Sequence, residues 1–460
     1  MIREELLRIG QTELADTLVR VDPPTRRRLE AQLETLDLDR VGRLVADLVT
    51  TDPGHEELAD LEPADVVPLG ADDPAAIARG EELLREGRVA AVLVAGGQGT
   101  RLGFDGPKGA FPVGAVTGRT LFDHHAGRIA AMRERYACEL PWYVMTSPQN
   151  DEATREIFRE NDWFGLSPGS VRLFVQGELP AVDRRTGTIL RETPDRIALS
   201  PDGHGGLFPA LVREGVLDDM RSRGVSTFVT FNVDNPMLSV ADPRLLGHHA
   251  QAGAEMSNVV VRKHDPRERV GVVAKRADRT VLVEYSDLPD DLARLREPDG
   301  GLVFWAGSIA AHAIEREFAE RVGAEGGLPY HRALKAVPYV HESGETVTPD
   351  QPNAVKFEAF MFDALPMAER AVSVEADRRE EFSPIKNAEG PDSPDTARRD
   401  LNRLYASWLR AAGVDIATDA SGDPGVDIEV DPRFAIDAGD LRRRLPEGYA
   451  PTPGEPILLA

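Results

Sequence analysis

The sequence is poor in cysteine, in long apolar runs and in net positive charge, and each shortage excludes a class of protein. Cys138 is the only cysteine among 460 residues, so no internal disulfide and no cysteine-built zinc site can form. No run of about 18 apolar residues occurs, so no membrane-spanning helix is predicted. Lys and Arg number 54 against 78 Asp and Glu, a net charge of −24. A surface this acidic repels DNA and anionic membranes, so we expect neither a nucleic-acid nor a membrane partner.

The N-terminal sequence is charged and lacks the continuous apolar core of a secretion signal. We therefore expect a soluble protein of the cytoplasm, either a monomer or a weak homo-oligomer. With so acidic a composition, an anionic substrate would need a locally basic pocket, helped by a metal ion.

What the sequence does contain is an alternation of short apolar segments with segments of helical spacing. The apolar segments predict strands that begin at Val89 and Ser226 and strands over 141–146 and 171–176, and the others predict helices over 74–86, 120–136, 151–160 and 207–223. Strands that alternate with helices in this way form parallel βαβ units with right-handed crossovers. The predicted fold class is therefore α/β, with ligands at the carboxyl ends of the strands.

The flanking segments are less regular. Apolar residues at helical spacing predict helices over the first fifty residues, which we interpret as a cap on the main domain. The stretch 51–73 is rich in Pro, Asp and Glu and is predicted to be either a linker or a segment that wraps around the fold. Beyond Met256 the patterns predict further strands, with antiparallel pairing as one option, over 257–262, 271–275 and 280–286 in a substrate-facing insertion. Helices are predicted over 308–322, 357–370 and 394–412. The tail over 413–460 is predicted to contain a short strand, VDIEV.

The strongest local signal is the stretch Val89 to Gly114, an apolar run followed by a glycine-rich loop with two cations, Arg101 and Lys108. Such a loop can point backbone N–H groups at phosphate oxygens while the cations hold the remaining charge. The Gly-Lys-Ser/Thr of a P-loop is absent, and the third glycine of a dinucleotide loop falls late, at Gly103. A loop that only turns the chain would also collect glycine, so the local pattern leaves both interpretations open.

Asp234 follows the strand FVTFNV, where a single carboxylate can hold Mg²⁺ together with phosphate oxygens and water. A turn-forming Asp-Asn pair is an equally good local interpretation. Because both would lie at the carboxyl ends of strands, we expect the glycine loop and Asp234 at one edge of the sheet.

A second glycine-rich loop, Ser200 to Leu207, leads into a predicted helix and contains His204, which either donates to a ligand or is structural. Glu284 follows a strand and could accept hydrogen bonds from sugar hydroxyls, although a surface acid is the simpler interpretation. Lys386 and, more weakly, Lys356 are cations that could reach a phosphate. No G-x-S-x-G elbow and no nucleophile triad are indicated, and the pairs 124–125 and 248–249 are interpreted as packing or surface histidines.

Between about Leu84 and Asp400 the sequence contains, in this order, the motifs LVAGGQGTRLGFDGPKG, PWYVMTS, FVQGELPAVD, PDGHGGL, VDNPMLSVADPR, LVEYSD, LPYHRALK, KFEAFMFDAL and EFSPIKNAEGPDSP. In them the chain resembles the eukaryotic-type UDP-sugar pyrophosphorylases, and most closely their UDP-N-acetylglucosamine pyrophosphorylase branch. Many spaced motifs in one order are far more specific than any of them alone.

The resemblance implies a Rossmann-like nucleotidyltransferase fold, similar to glycosyltransferase A, with a mixed sheet flanked by helices. It divides the chain into a helical segment (1–82), a nucleotidyltransferase domain (83–395) and a C-terminal helix with a small β-containing unit (396–460). It also implies UTP and a sugar 1-phosphate as substrates and Mg²⁺ as the cofactor.

Residue by residue, the resemblance implies a division of roles. The nucleotide and its phosphates would be cradled by Ala95, Gly96, Gly97, Gly99 and Thr100, and the uracil end would contact Gln176 and Gly203. The phosphate charge would be neutralised by Arg101, Lys108 and Lys386, with Mg²⁺ held by Asp234. The sugar would be contacted by Gly271 and Glu284, and His204, Trp305 and Lys356 are further candidates on the substrate side.

Three positions depart from the acetylhexosamine branch. His204 replaces the Asn of its DGNGG loop and matches the GHG of UDP-glucose pyrophosphorylases. The branch's FNAGN is FWAGS here, with Trp305 and Ser308 at the two Asn positions near the sugar. Trp305 would either fill the space that the acetamide group of the sugar needs or pack outward. Glucose 1-phosphate and N-acetylglucosamine 1-phosphate are therefore both candidate substrates.

The leading hypothesis is a Mg²⁺-dependent uridylyltransferase that makes a UDP-sugar and pyrophosphate. The sugar phosphate is already an anion, so its attack on UTP requires alignment and charge cancellation rather than a protein nucleophile. The alternative is a non-catalytic protein that binds nucleotide sugars on the same fold, although such a protein would have no need of Arg101, Lys108, Asp234 and Lys386. A nicotinamide-dependent oxidoreductase is disfavoured by the late third glycine.

Overall fold

The structure is a computed structural model that describes residues 2–51, 60–71, 73–324, 327–341 and 344–460. By packing, the chain divides into two compact units. The small unit comprises Met1–Glu57, Gln176–Ala210 and Val322–Asp363, and the large unit comprises Leu58–Val175, Leu211–Arg321 and Ala364–Ala460. The three-part division made from the sequence stays a prediction beside this one.

The α-helices of the described residues mostly begin at side-chain caps. Thr120 caps one of them by accepting from Asp123 N–H, and Ser393 and Thr396 form a capping box at another. In chain order they are α1 (Ile2–Arg8), α2 (Thr12–Arg20), α3 (Pro23–Leu33), α4 (Leu38–Val45), α5 (Pro74–Arg85), α6 (Leu121–Tyr136), α7 (Asp151–Glu160), α8 (Leu207–Arg213), α9 (Val216–Ser222), α10 (Pro243–Ala252), α11 (Asp290–Ala293), α12 (Arg316–Ala324), α13 (Arg378–Glu381), α14 (Pro394–Ala411) and α15 (Ala438–Arg444). None of these helices has the length and apolarity that crossing a lipid bilayer requires.

The strands of the described residues range from two to ten residues. In chain order they are β1 (Glu62–Pro63), β2 (Val66–Val67), β3 (Val89–Val94), β4 (Trp142–Thr146), β5 (Val171–Val175), β6 (Glu178–Pro180), β7 (Val182–Asp183), β8 (Arg191–Thr193), β9 (Arg196–Ile197), β10 (Leu199–Pro201), β11 (Thr227–Asn232), β12 (Met256–Arg262), β13 (Val272–Arg276), β14 (Arg279–Val283), β15 (Ala306–Glu315), β16 (Tyr330–Lys335), β17 (Tyr339–Val340), β18 (Thr346–Val347), β19 (Ala354–Ala359), β20 (Ala371–Glu375), β21 (Ile428–Val430) and β22 (Ile457–Leu459).

A mixed sheet forms the centre of the large unit. Its strands lie in the order β2-β20-β12-β15-β11-β3-β4-β5, and β13 also pairs with β15, β14 and β1. From β11 to β5 the neighbours are parallel, whereas β15 is antiparallel to both β11 and β12. The register sets Val94 of β3 beside Asn232 of β11, so these two strands end together. The predicted α/β class with a mixed sheet is confirmed.

One predicted helix is a central strand. The sequence predicts a helix over 308–322, but β15 occupies Ala306–Glu315 and α12 follows it directly. Small apolar residues such as Ala and Ile fit either structure, and here pairing with β11 and β12 on both sides favours the extended form. The helix predicted over 357–370 is also wrong, because β19 extends to Ala359 and a 3₁₀ helix covers Met361–Met367.

Three smaller predictions are corrected by the structure. The helix predicted over 207–223 is two helices, α8 and α9, separated at Gly215, whose φ of 64° is left-handed. The strands predicted as an insertion beyond Met256 belong to the main sheet as β12, β13 and β14. The predicted linker 51–73 contains β1 and β2, which pair with β13 and β20, while its residues 52–59 and 72 lie outside the described residues.

The N-terminal helices belong to the core of the small unit. Leu6, Leu14 and Leu29 are buried there with residues of later segments, including Val182 and Phe357. Gln11 adds polar bonds: its Nε2 donates to the Gly187 carbonyl and its Oε1 accepts from Ile189 N–H. The predicted cap is thus helical as expected, and it packs on segments 176–210 and 322–363.

Near its C-terminus the large unit has a buried carboxylate, Glu429 on β21, that holds the loop after residue 113. Glu429 accepts hydrogen bonds from the backbone N–H groups of Val116 and Thr117, both at 2.8 Å, and from the Thr117 hydroxyl. A Cβ at Gly114 would lie 2.8 Å from the Glu429 carboxylate oxygens, so only glycine fits this approach.

Candidate active site

The first glycine-rich loop follows β3, and neighbouring side chains fix its carbonyl groups. Asn150 Nδ2 donates to the carbonyl oxygens of Ala95, at 2.9 Å, and of Gly97, at 3.2 Å, and Ser147 Oγ donates to that of Gly96 at 2.8 Å. No described residue accepts a hydrogen bond from the backbone N–H of Gly96 or Gly97. The loop is therefore held from one side and presents free donors, which suits an anionic ligand.

The other residues predicted for this loop follow as a short 3₁₀ helix, Thr100–Leu102. Gly99 is required by packing, because a Cβ there would lie 2.7 Å from Phe104 Cδ1. Arg101 is exposed, and no described carboxylate forms an ion pair with it. Its guanidinium is thus available to a phosphate group.

Lys108 and Asp234 meet in the large unit, as the sequence predicts for residues at the ends of β3 and β11. Lys108 Nζ lies 2.8 Å from Asp234 Oδ2, and both side chains are about 85% buried, with 16% and 15% exposed. The Lys108 backbone N–H also donates to the Gly97 carbonyl at 3.1 Å. A cation and a carboxylate are therefore fixed directly beside the glycine loop.

Lys386 is tied to the same place through the backbone. The N–H of its neighbour Ile385 donates to the Asp234 carbonyl at 2.9 Å. The Lys386 ammonium lies 5.8 Å from the centre of the Phe382 ring, and no described carboxylate pairs with it. Its charge thus remains available, and its backbone follows directly on the residue that contacts Asp234.

Four further hydrogen bonds join the segment after Asp234 to the segment before Lys386. Asn235 Nδ2 donates to the Glu381 carbonyl at 2.7 Å, and Ser383 N–H donates to Asn235 Oδ1 at 3.2 Å. The Glu381 carboxyl accepts from Ser239 N–H at 2.6 Å and from Ser239 Oγ at 2.5 Å. We call this set of contacts the 235–383 junction, and it holds Asp234 and Lys386 in one place.

Three residues predicted for the sugar side lie along β13, β14 and the start of β15. Glu284 directly follows β14, and Gly271 precedes β13 and accepts from Ser308 N–H at 2.9 Å. Trp305 is partly buried and packs against a buried cluster of Val260, Val273 and Ala306. The Arg262 guanidinium stacks over its ring at 4.1 Å and is itself held by Glu375 at 2.7 Å.

In the small unit, Gln176 and the second glycine loop are organised by the buried carboxylate of Asp202. Gln176 Nε2 lies 3.5 Å from Asp202 Oδ1, and the Asp202 carbonyl accepts from Ala359 N–H at 2.8 Å. Gly203 has a φ of 85°, and a Cβ there would lie 2.4 Å from the Ala359 carbonyl oxygen. Gly206 is equally constrained, with Asp202 Oδ1 at 2.0 Å from its added Cβ.

His204 is neutral and part of an aromatic group. Its Nδ1 accepts from Met361 N–H at 3.0 Å, so the ring proton is on Nε2, and burial lowers the pKa of His204 to about 4. Its ring lies 5.5 Å from Phe360, which stacks on Phe362 at 5.1 Å and on His331 at 4.8 Å. The small unit thus presents partly buried ring faces, which suit the stacking of a planar or sugar ring.

Lys356 lies on β19 opposite Ala333 of β16, and no described residue forms an ion pair with it. Its role as a substrate-binding residue stays a prediction.

Mg²⁺ fits the large-unit site only together with a ligand. No group of three His, Cys, Asp or Glu residues is placed to hold a metal among the described residues, and Asp234 offers one carboxylate. Mg²⁺ is commonly bound in proteins by one or two carboxylates plus substrate phosphates. The donor set thus matches a metal that arrives with a nucleotide.

Several residues of these sites were not predicted from the sequence. They are Asn150 and Ser147 behind the first loop, the 235–383 junction, Asp202, and the aromatic group of Phe360 and Phe362. A polar cluster directly after a buried strand, as in TSPQN after β4, was a signal that could have pointed to Asn150.

A parallel-strand edge with a glycine loop, free backbone donors, two lysines and one carboxylate defines a nucleotide-binding α/β protein built for phosphate chemistry. Comparison with known proteins agrees. Residues 60–390 match the family described as UTP–glucose-1-phosphate uridylyltransferase, and the chain belongs to this family.

Relatives of this chain cover most of its length. The human UDP-N-acetylhexosamine pyrophosphorylase-like protein 1 is 38% identical over 434 residues, which are 90% of this chain and 85% of that protein. The UDP-N-acetylglucosamine pyrophosphorylase of Saccharomyces cerevisiae is 36% identical over 73% of this chain and 72% of its own length. The crystal structure of the Trypanosoma brucei UDP-N-acetylglucosamine pyrophosphorylase with an inhibitor has a TM-score of 0.84 and 25% identity over 100% of this chain and 97% of that one. The nucleotidyltransferase fold and the resemblance noted in the sequence are thus confirmed.

Proposed function

We propose that the protein is a Mg²⁺-dependent uridylyltransferase that converts UTP and a sugar 1-phosphate into a UDP-sugar and pyrophosphate. The observation that carries this proposal is the Lys108–Asp234 pair at 2.8 Å beside the glycine loop. In this pair a cation lies beside a carboxylate that would hold Mg²⁺, next to free backbone donors. A protein that only bound nucleotide sugars would need no metal-binding carboxylate there.

The chain's own groups account for the reaction. An oxygen of the sugar phosphate attacks the α-phosphorus of UTP, the bond from that phosphorus to the bridging oxygen breaks, and the electron pair leaves with pyrophosphate. No proton has to be removed, because the attacking oxygen is already ionised. The N–H groups of Gly96 and Gly97 bind phosphate oxygens, while Lys108, Arg101 and Lys386 cancel the repulsion between the two anions. Mg²⁺ held by Asp234 would add Lewis-acid stabilisation of the phosphate charge.

We propose that the remaining residues predicted from the sequence bind the nucleoside and the sugar. Gln176 and Gly203 contact the uracil, which is supported by the contact of the Gln176 side chain with Asp202 next to Gly203. Gly271 and Glu284 contact sugar hydroxyls, with His204 and Lys356 on the substrate side.

For the sugar we propose an N-acetylhexosamine 1-phosphate. The relatives that cover most of the chain are named for N-acetylated sugars. The Trp305 ring is stacked by Arg262 and packs against the buried cluster of Val260, Val273 and Ala306, which supports outward packing rather than closure of the acetamide space. Trp305 is therefore not the gate between the two sugars.

The test is pyrophosphate release from UTP and Mg²⁺ with a panel of sugar 1-phosphates, with ATP, CTP and GTP as controls. We expect N-acetylglucosamine 1-phosphate to give the largest kcat/KM. Turnover of glucose 1-phosphate alone would overturn the proposal that the substrate is an N-acetylhexosamine 1-phosphate. No turnover with any sugar 1-phosphate would overturn the proposal that the protein is a uridylyltransferase. In Trp305→Asn we expect an unchanged preference, and a gain for the acetylated sugar would show that Trp305 does gate it.

We further propose that the protein works in the cytoplasm as a monomer or weak homo-oligomer, as its acidic composition favours. Light scattering on a size-exclusion column would test the second part, and a stable mass of two or more chains at micromolar concentration would contradict a monomer.

A further inference from the structure

A buried arginine without a protein acceptor lies behind the 235–383 junction. Arg128, on α6, is only 4% exposed. Among the residues that the structure describes, no carboxylate lies within ion-pairing distance of its guanidinium and none accepts from Nη1 or Nη2. An isolated buried cation is costly, so its charge needs a counter-group.

The single side-chain contact of Arg128 does not satisfy it. Its Nε lies 3.3 Å from His124 Nε2, and that nitrogen also lies 2.8 Å from the Pro236 carbonyl oxygen. A carbonyl oxygen only accepts, so His124 Nε2 carries its proton there and cannot accept from Arg128. Burial lowers the pKa of His124 well below its usual value, which keeps that ring neutral. The five N–H bonds of the guanidinium therefore find no acceptor among the residues that the structure describes.

Arg128 borders a cavity that can supply the missing partner. The cavity has a volume of about 270 Å³, and its lining includes Ser239, Glu381, Trp408 and Gly439. Since a water takes up about 30 Å³ of liquid, there is room for roughly nine waters or for a small anion with its hydration. A guanidinium binds tetrahedral oxyanions through two parallel N–H bonds, which matches the free Nη groups.

Glu381 does not fill this role itself. Both of its carboxyl oxygens are engaged by Ser239, and it makes no ion pair with Arg128. Burial raises the pKa of Glu381 to about 7, with Asp242 acting in the same direction and Arg128 in the opposite one. Of the other acids at the cavity, Asp437 is paired with Arg135, and Glu380 is exposed, so solvent screens its charge.

We infer that this cavity is a binding site for a phosphate-sized oxyanion, held by the Arg128 guanidinium. The site is distinct from the glycine loop and does not depend on the proposed uridylyl transfer. Its lining includes Ser239 and Glu381 of the 235–383 junction, so a bound oxyanion contacts the segment that fixes Asp234.

The first test is a crystal of the full chain soaked in selenate, whose selenium gives an anomalous signal. We expect a peak beside the Arg128 guanidinium. A cavity that holds water alone under these conditions would overturn the site.

The second test is calorimetric titration with inorganic phosphate in an Arg101→Gln background, which weakens phosphate binding at the glycine loop. Arg128→Lys keeps the positive charge but loses the two parallel N–H groups of the guanidinium, so we expect the binding of phosphate to weaken about tenfold or more. The matched control is Arg133→Lys on the same helix, where the guanidinium already has the Leu140 carbonyl and Ser170 as acceptors. Equal affinity in Arg128→Lys and Arg133→Lys would overturn the proposal.

A third variant covers the case in which Arg128→Lys fails to fold, as judged by its circular dichroism. Ala438→Met extends a side chain into the cavity from its lining while Arg128 stays in place. We expect the same loss of phosphate binding and of the selenate peak. Phosphate binding that persists unchanged in Ala438→Met would place the anion elsewhere and refute the site.

Discussion

Gly97 of the first glycine-rich loop and the glycines of the second loop are kept for different reasons, although Gly99 of the first loop is also required by packing. In the loop after β3, a Cβ at Gly97 would meet nothing closer than the Lys108 side chain at 4.0 Å. In the second loop, a Cβ at Gly203 would lie 2.4 Å from a backbone oxygen, and one at Gly206 2.0 Å from Asp202. Gly97 is thus not needed by the packing of the chain, and its free side is where a ligand can approach. The second loop is built of glycine because β19 and Asp202 leave no room for a side chain.

The largest expected effect tests whether the first loop belongs to a reacting centre. In Asp234→Ala the proposed metal ligand is lost, and we expect the rate of pyrophosphate release to fall about a thousandfold, as for other single groups that stabilise charge in a transition state. The measurement is kcat with saturating UTP and sugar 1-phosphate.

Two controls accompany this change. Asp234→Asn keeps the shape without the charge and should be nearly as inactive, while urea unfolding should show that both variants remain folded. A rate within tenfold of that of the unmodified protein would show that Asp234 is not a metal ligand. It would also weaken the claim that the first loop, unlike the second, belongs to the reacting centre.

The second prediction concerns folding. Gly203→Ala combines a left-handed φ with a clash against the Ala359 backbone, so we expect a loss of about 3 kcal/mol in the free energy of unfolding. Urea titration measures it. A loss below about 1 kcal/mol would mean that the second loop can move aside, contrary to the packing requirement inferred here.

The third prediction uses the pH dependence of His204. Burial lowers the pKa of His204 from 6.5 to about 4, so the unfolded chain takes up a proton that the folded chain does not between these values. Stability contributed by the neutral ring is therefore present above pH 6.5 and is lost as the pH falls towards 4.

His204→Asn keeps an acceptor for Met361 N–H but removes this titration. We expect the slope of the unfolding free energy against pH to decrease by up to about 1.4 kcal/mol per pH unit in this window. His124 and His125, also buried with lowered pKa values, add to the remaining slope in the same direction, whereas Glu381, whose pKa is raised to about 7, acts in the opposite direction. An unchanged slope would show that His204 is not held neutral.

The smallest predicted change is in Gly97→Ala. The added methyl group meets free space in the protein, so the free energy of unfolding should stay within about 0.5 kcal/mol of the original. The methyl group would still obstruct the approach of a phosphate to the loop, and we expect kcat/KM for UTP to fall about tenfold. Reduced stability with unchanged kcat/KM would show that Gly97 is kept for the packing of the chain rather than for the approach of a ligand.

Elements with one strong local pattern could be predicted from the sequence. The helix over 151–160 and the strand that begins at Val89 are found as expected, because length, spacing and flanking residues agree. The strand β15 could not be predicted, because the run SIAAHAIE fits a helix until its pairing with β11 and β12 is known. Neither could β1 and β2, two-residue strands that exist only by pairing with the main sheet.

The candidate site divides in the same way. That Lys108 and Asp234 would meet follows from the rule that parallel strands end at one edge, and their side chains do meet. The 235–383 junction could not be foreseen, since its contacts join segments about 150 residues apart by tertiary packing alone. The packing that requires glycine at position 203 could not be predicted either, because it depends on the position of the neighbouring strand β19.

The 235–383 junction has a consequence for synthesis on the ribosome. Asp234 emerges long before Ile385, whose N–H anchors its backbone. At roughly 5–20 residues per second, about 150 residues take about 8–30 s, and during that interval the Asp234 carbonyl lacks its Ile385 donor, although Lys108 and β3 have already been made. The nascent chain therefore cannot assemble a competent site, and the end of β11 is open to chaperones until the segment around Lys386 has been made.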